Sequence, residues 1–204
     1  MLLVPTWSAN AQCFQDTDKC VLIQGRLSED HVSTLKERIH DIDYVVINSR
    51  GGMAYYGRQI GIVLYNHNKP LYVIGECSSS CAEYILPGAP IVFAVNNPDF
   101  FLHGSTLINR NIAYERGFEI SDTCPWNSIK WLNFIYEKRG LNPGFAQIQR
   151  WVTGDPKIDF EEHGEGCLRV MDFELPANSW NASELVLKYL WGLNIHKVEL
   201  TKNG

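Results

Sequence analysis

The sequence predicts an α/β fold built on a mostly parallel sheet, and three observations predict it. Short, continuous, β-branched runs such as Tyr44 to Ile47 (YVVI) and Leu71 to Ile74 (LYVI) have the composition of strands buried on both faces. These runs alternate with segments whose apolar residues recur at helical spacing. Both runs also end in Gly-rich or Ser-rich turns, at the strand ends where α/β folds gather their functional groups.

The elements follow in order. Cys20 to Gln24 (CVLIQ) reads as a first strand before Gly25. Ser28 is an N-cap candidate for a helix to about His40, with Val32, Leu35 and Ile39 on one stripe. Tyr44 to Ile47 is the second strand, and Asn48-Ser49-Arg50-Gly51-Gly52 the turn after it. A helix from about Ala54 to Asn66 presents Ile60, Val63 and Leu64 and ends before Lys69-Pro70. Leu71 to Ile74 is the third strand, followed by the Ser78-Ser79-Ser80 turn and a helix at Ala82 to Leu86. Ile91 to Val95 is a further strand, and Phe100 to Leu102 leads into His103-Gly104. Helices are expected from about Trp126 to Gly140 and from Pro143 to about Trp151. Residues 153–166 are polar and glycine-bearing and read as a loop. Leu168 to Phe173 is a strand candidate, Ser183 to Trp191 a helix, and His196 to Leu200 a last strand.

Composition narrows the function classes. A chain of 204 residues, 45% hydrophobic and 20% charged, can bury one sizeable core. A net charge of −5, with no Lys/Arg run, argues against nucleic acid as the main partner. No apolar stretch approaches the roughly 18 residues of a spanning helix. Residues 1–11 look like the tail of a secretory signal, with an A-x-A pattern at Ala9-Asn10-Ala11 and cleavage expected after Ala11. The charged n-region of such a signal is missing. Residues 12–204 then form a single expected domain.

Six cysteines, Cys13, Cys20, Cys77, Cys81, Cys124 and Cys167, include no CxxC and no zinc-knuckle spacing. Disulfides in an oxidising compartment are the better reading. Six cysteines allow about 15 connectivities, and proximity suggests Cys13–Cys20 and Cys77–Cys81, leaving Cys124–Cys167. His31, His40, His67, His163 and His196 stand in no motif and default to surface or structural roles.

The chemistry gathers in three pieces: INSRGG at 47–52, GECSSSCA at 75–82, and the apolar-flanked His103 in FLHG. A serine at a strand–turn–helix junction sits where free N–H groups and the helix dipole favour developing negative charge. The same place suits a plain N-cap. The three pieces, in this order and spacing, resemble the Clp-peptidase and crotonase superfamily, and especially its small exported Clp-like members. In that family a strand leads to an N-S-P-G-G turn, a second strand to a Gly-x-x-x-Ser turn at a helix start, and a histidine follows about two dozen residues later. Gly75 to Ser79 and the 24-residue step from Ser79 to His103 match that pattern. The resemblance spans about residues 20–152, with a further match at the helix 183–191 and Gly192-Leu193-Asn194.

The resemblance implies a fold of repeated ββα units and a periplasmic serine peptidase, likewise an oligomer, acting on a peptide or protein substrate with no metal and no cofactor. Ser79 would be the nucleophile and His103 its base, with an oxyanion hole made by backbone N–H groups of Gly51, Gly52 and Ser80. A one-residue slip would move the nucleophile to Ser78 or Ser80. Arg50 stands where the family has proline. For the third triad member the candidates are Asn178, which could orient the histidine as an amide, Asp172, or none; Asp155 and Asp159 fall in the expected loop. The sequence has no G-x-S-x-G elbow of the α/β-hydrolase kind. Two rival readings share the cleft: a degenerate binding or assembly protein, and a crotonase-like thioester enzyme needing coenzyme A.

Overall fold

The computed structural model describes residues 13, 19–102, 115, 129–153, 157–162, 168–174 and 180–200. Its centre is a five-stranded sheet in the order β1-β2-β3-β4-β9. The strands are β1 (Cys20–Leu27), β2 (Tyr44–Gly52), β3 (Leu71–Cys77), β4 (Val92–Asp99) and β9 (Ile195–Val198). Every neighbouring pair is parallel. This is the expected α/β architecture.

Alternation along each strand sorts the side chains to two faces. Val21, Ile23, Val45, Ile47, Leu71, Val73, Val92 and Ala94 turn into one buried core, shared with Leu35 of helix α1 (Glu29–Arg38) and Ile60 and Leu64 of helix α2 (Ala54–His67). On the opposite face Cys20, Val46 and Val95 form a smaller cluster. There an aromatic row crosses the strands: Tyr44 meets Tyr72 at 5.0 Å, and Tyr72 stacks on Phe93 at 4.6 Å.

The helices begin and end as their sequences suggest. Ser28 opens α1, with its N–H donating to His31 Nδ1 at 3.3 Å, so His31 has a capping role. Asn68 closes α2 in the left-handed conformation, its N–H bonded to the Leu64 and Tyr65 carbonyls. Past β3 the chain makes a π-helical turn, Cys81–Ile85, and then one α-helical turn, Leu86–Gly88. Gly61 lets this segment lie directly on α2: a Cβ there would strike the Tyr84 carbonyl.

Some boundaries differ from expectation for physical reasons. β2 runs on through Gly52, because the glycine turn still pairs with β1 at Arg26 and Leu27. β1 and β4 likewise extend to Leu27 and Asp99. Part of the expected loop 153–166 is a strand, β6 (Lys157–Glu162), in an antiparallel hairpin with β7 (Leu168–Glu174). The apolar residues Ile158 and Phe160 alternate with acidic ones there, a period-2 pattern masked by the polar composition. Asp159 therefore lies in a strand, opposite Asp172. A short antiparallel pair, β5 (Phe101–Leu102) with β8 (Trp180–Asn181), was not foreseen. Two residues per strand leave too little pattern to read.

Helices at Ile129–Arg139 and Phe145–Thr153 match the expected pair. The expected helix 183–191 is an α-turn at Glu184–Val186 followed by a π-turn at Leu187–Trp191, with Ser183 as N-cap and Gly192 as left-handed C-cap. Among the described residues no helix is long and apolar enough to cross a membrane.

Candidate active site

The C-terminal ends of β1, β2 and β3 all break register at one level, between Gln24 and Arg26, Ile47 and Ser49, and Ile74 and Glu76. Such bulges bend strands and re-aim side chains. Polar groups of β2 tie the three displaced ends together. Ser49, 1% exposed, donates its hydroxyl to the Gly25 carbonyl at 2.6 Å. Asn48 Oδ1 accepts the Glu76 N–H at 3.1 Å. The β2 turn is thus held to strands on both sides.

The serine turn follows β3. Ser78 N–H donates to the Ser49 carbonyl at 2.9 Å, and Ser79 N–H donates to the Phe101 carbonyl at 3.0 Å. Ser79 has φ +55, a left-handed backbone that costs a non-glycine residue about 1–2 kcal/mol. The Cys77–Cys81 disulfide spans the three serines, with its Cα atoms 5.3 Å apart. The predicted Cys13–Cys20 disulfide is also formed, while Cys124 and Cys167 lie outside the described residues.

The three hydroxyls have different fates. Ser78, buried, donates to Glu76 Oε1 at 2.6 Å; Glu76 Oε2 accepts from Arg50 Nε at 3.1 Å. Ser80, also buried, accepts the Gly52 N–H and donates to the Gly52 carbonyl, both at 2.9 Å. Ser79 is half-buried, and its hydroxyl has no hydrogen-bond partner among the described residues. The two neighbouring hydroxyls are committed to Glu76 and Gly52, and the middle serine, at the strained position, has no hydroxyl partner among the described residues. This strand–turn–helix junction is a strained elbow, without the G-x-S-x-G sequence of the α/β-hydrolases.

The β2 turn packs directly against this elbow. Gly51 has φ +84, and a Cβ there would lie 2.5 Å from the Ser78 carbonyl oxygen, 2.8 Å from Ser79 Cβ and 3.0 Å from Ser80 N. No side chain fits without moving the elbow. Gly51 N–H donates to Ser49 Oγ at 3.1 Å. The two glycine N–H groups therefore rest on the hydroxyls of Ser49 and Ser80. Arg50 projects outward, its side chain 87% exposed.

Of the predicted site residues, the structure brings Ser79, Ser80, Gly51 and Gly52 together. His103 and Asn178 lie outside the described residues, as does Asp155; the backbones of Asp159 and Asp172 are described, in the hairpin. Reasoning from sequence missed the supporting roles of Asn48, Ser49 and Glu76. The NSRGG motif carried a signal for the first two, since short polar side chains beside glycines commonly tie down turns. Among the described residues no group of three or more His, Cys, Asp or Glu side chains is placed to hold a metal ion.

This parallel sheet, with a glycine turn set against a serine elbow at its strand ends, has a Clp-protease-like fold. Solved structures agree with that class. ClpP1 from Listeria monocytogenes superposes with a TM-score of 0.53 at 16% identity, over 89% of this chain and 91% of that one. An asparagine-to-aspartate mutant of the same ClpP1 gives 0.54 at 14% identity, over 89% and 91%. A serine-to-alanine mutant of the 1510-N membrane-bound stomatin-specific protease gives 0.50 at 12% identity, over 88% of this chain and 78% of that one. At these identities the likeness is one of fold. No protein-family model matches the sequence, and no curated protein matches it.

Proposed function

We propose that this chain is an exported serine hydrolase, a Clp-like peptidase of the periplasm that cleaves peptide or related acyl bonds through Ser79 and His103. The observation that carries the reading is the Ser79 hydroxyl, without a partner among the described residues, on a left-handed elbow between two serines whose hydroxyls are already committed. A residue is held in such a conformation only where its surroundings over-determine it, and such strain clusters at active sites.

The proposed chemistry runs in two stages. His103 takes the proton of Ser79 Oγ as that oxygen attacks the acyl carbon. The oxygen of the tetrahedral intermediate accepts from the Ser80 and Gly52 N–H groups, the latter exchanging its Ser80 hydroxyl partner for the substrate. The proton passes to the leaving group, and water then releases the acyl chain by the same route. Two chain connections support His103 as base. Ser79 N–H is bonded to Phe101, and two further residues of chain span at most about 7 Å. The pair Leu102↔Trp180 also puts paired positions one residue from His103 and two from Asn178, which supports Asn178 as its orienting partner.

Two disulfides support an oxidising compartment. Exposed Leu185 and Tyr189, four residues apart, support a homo-oligomer. A second reading, a degenerate binding or assembly protein, is favoured by one observation: the Gly52 N–H is already engaged by Ser80.

Labelling with a fluorophosphonate probe decides between them. The hydrolase reading expects an adduct on Ser79 that disappears in His103→Ala, and a fall in kcat/KM of at least about ten-thousandfold in Ser79→Ala. A folded, oxidised protein that takes no label supports the binding reading. An adduct on Ser78 or Ser80 overturns the assignment of Ser79.

A further inference from the structure

Away from the serine turn, two histidines from different helices meet on the surface. His40 follows Ile39, the C-cap of α1, and His67 is the last residue of α2. Both are exposed, and their ring centroids lie 4.9 Å apart with the planes at 86°. Neither ring has a hydrogen-bond partner among the described residues, so no ring nitrogen is committed to any of them. We propose that His40 and His67 form a two-imidazole site for a transition-metal dication of the Zn2+ or Cu2+ kind, clamping the C-terminal ends of α1 and α2.

Ring spacing carries the argument. At a metal–nitrogen length of about 2.0–2.1 Å, an imidazole centroid lies about 3.2 Å from the ion. Two such rings at bond angles of about 90–110° then have centroids about 4.5–5.2 Å apart. The observed 4.9 Å falls within that range, and as both side chains are exposed, a ring can turn out of the edge-to-face contact to aim its nitrogen at a shared ion. Borderline dications favour imidazole over the hard oxygen donors that suit Ca2+ and Mg2+. Both residues also sit at helix C-termini, where the carbonyl ends of the peptide dipoles favour positive charge. The Lys69 ammonium, two residues beyond His67, is bonded to the Ile42 carbonyl. No third protein ligand stands beside the pair among the described residues, so water completes the coordination.

The test uses the untagged, oxidised full chain, titrated calorimetrically with ZnCl2 and CuCl2 beside His40→Gln, His67→Gln, His67→Ala and Ser79→Ala. One ion per chain is expected in the wild type and in Ser79→Ala. Each histidine variant should bind at least about tenfold more weakly, because losing a direct ligand costs no less than losing an outer-shell partner. The melting temperature should rise with added metal in the wild type and stay constant in the histidine variants, since only the folded state holds the two rings together. Metal-free melting curves of the variants verify that they fold. A wild type that binds no ion, or histidine variants that bind as well as the wild type, overturns the site and leaves the pair as an edge-to-face ring contact.

Discussion

The glycine turn that ends β2 and the serine turn after β3 both need a left-handed backbone, and they reach it by different means. At the β2 end the demand falls on Gly51, φ +84, which has no side chain to oppose it. At the β3 end it falls on Ser79, φ +55, which resists. There the conformation is imposed from outside: by the Phe101 carbonyl on Ser79 N–H, by Ser78 locked to Glu76, and by the Cys77–Cys81 bond across the turn. The difference is instructive. A residue chosen only to fit the backbone would be glycine at both places, so a serine held there by three constraints marks a position where the side chain matters more than the fit.

Breaking the permissive turn should cost most. Gly51→Ala adds a Cβ 2.5 Å from the Ser78 carbonyl at a backbone angle alanine resists. It should lower stability by about 3 kcal/mol or more and abolish fluorophosphonate labelling, read by urea unfolding and gel fluorescence. The imposed turn should weaken next. Replacing Cys77 and Cys81 together by serine opens a five-residue loop, worth about 2 kcal/mol on the chain-entropy account, and labelling should fall with it.

Ser80→Ala separates the contributions of the two turns. Losing both bonds to Gly52 should cost about 1–2 kcal/mol. It also frees the Gly52 N–H for a substrate oxygen, so kcat/KM per folded molecule should not fall; a large fall would mean that Ser80 itself acts in catalysis. The smallest effect sharpens the comparison most. Ser79→Gly should be about 1 kcal/mol more stable than Ser79→Ala, because only glycine relaxes at φ +55. Equal stabilities would show that the elbow stores no strain.

Much of this was legible before any coordinates. The β2 and β3 strands, the glycine and serine turns and the two described disulfides follow from local composition, because each is specified within about ten residues of chain. Ser79 was singled out by its spacing from Gly75 and His103, but what distinguishes it from Ser78 and Ser80 within the turn was not legible. All three are serines in one turn, and only their backbone angle and hydroxyl partners differ. The ties from Ser49 to Gly25 and from Asn48 to Glu76 were hidden for a related reason: they join residues 24 and 28 positions apart, which no periodicity reports. Strand β6 was missed because its acidic alternation resembles a solvated loop. His103 and Asn178 rest on resemblance and on the chain connections argued above.

The sheet order has a consequence for how the molecule is made. Strands β1 to β4 can pair as they are synthesised, but the outer edge of β4 waits for β9, Val92 against Ile195, roughly a hundred residues later. Until that strand arrives, the N–H and C=O groups along that edge are free to template pairing with another chain. Completion of the sheet is therefore coupled to synthesis of β9. A nascent chain that stops short of β9 carries the serine elbow already written into it, on a scaffold still open on one side to aggregation or to a chaperone.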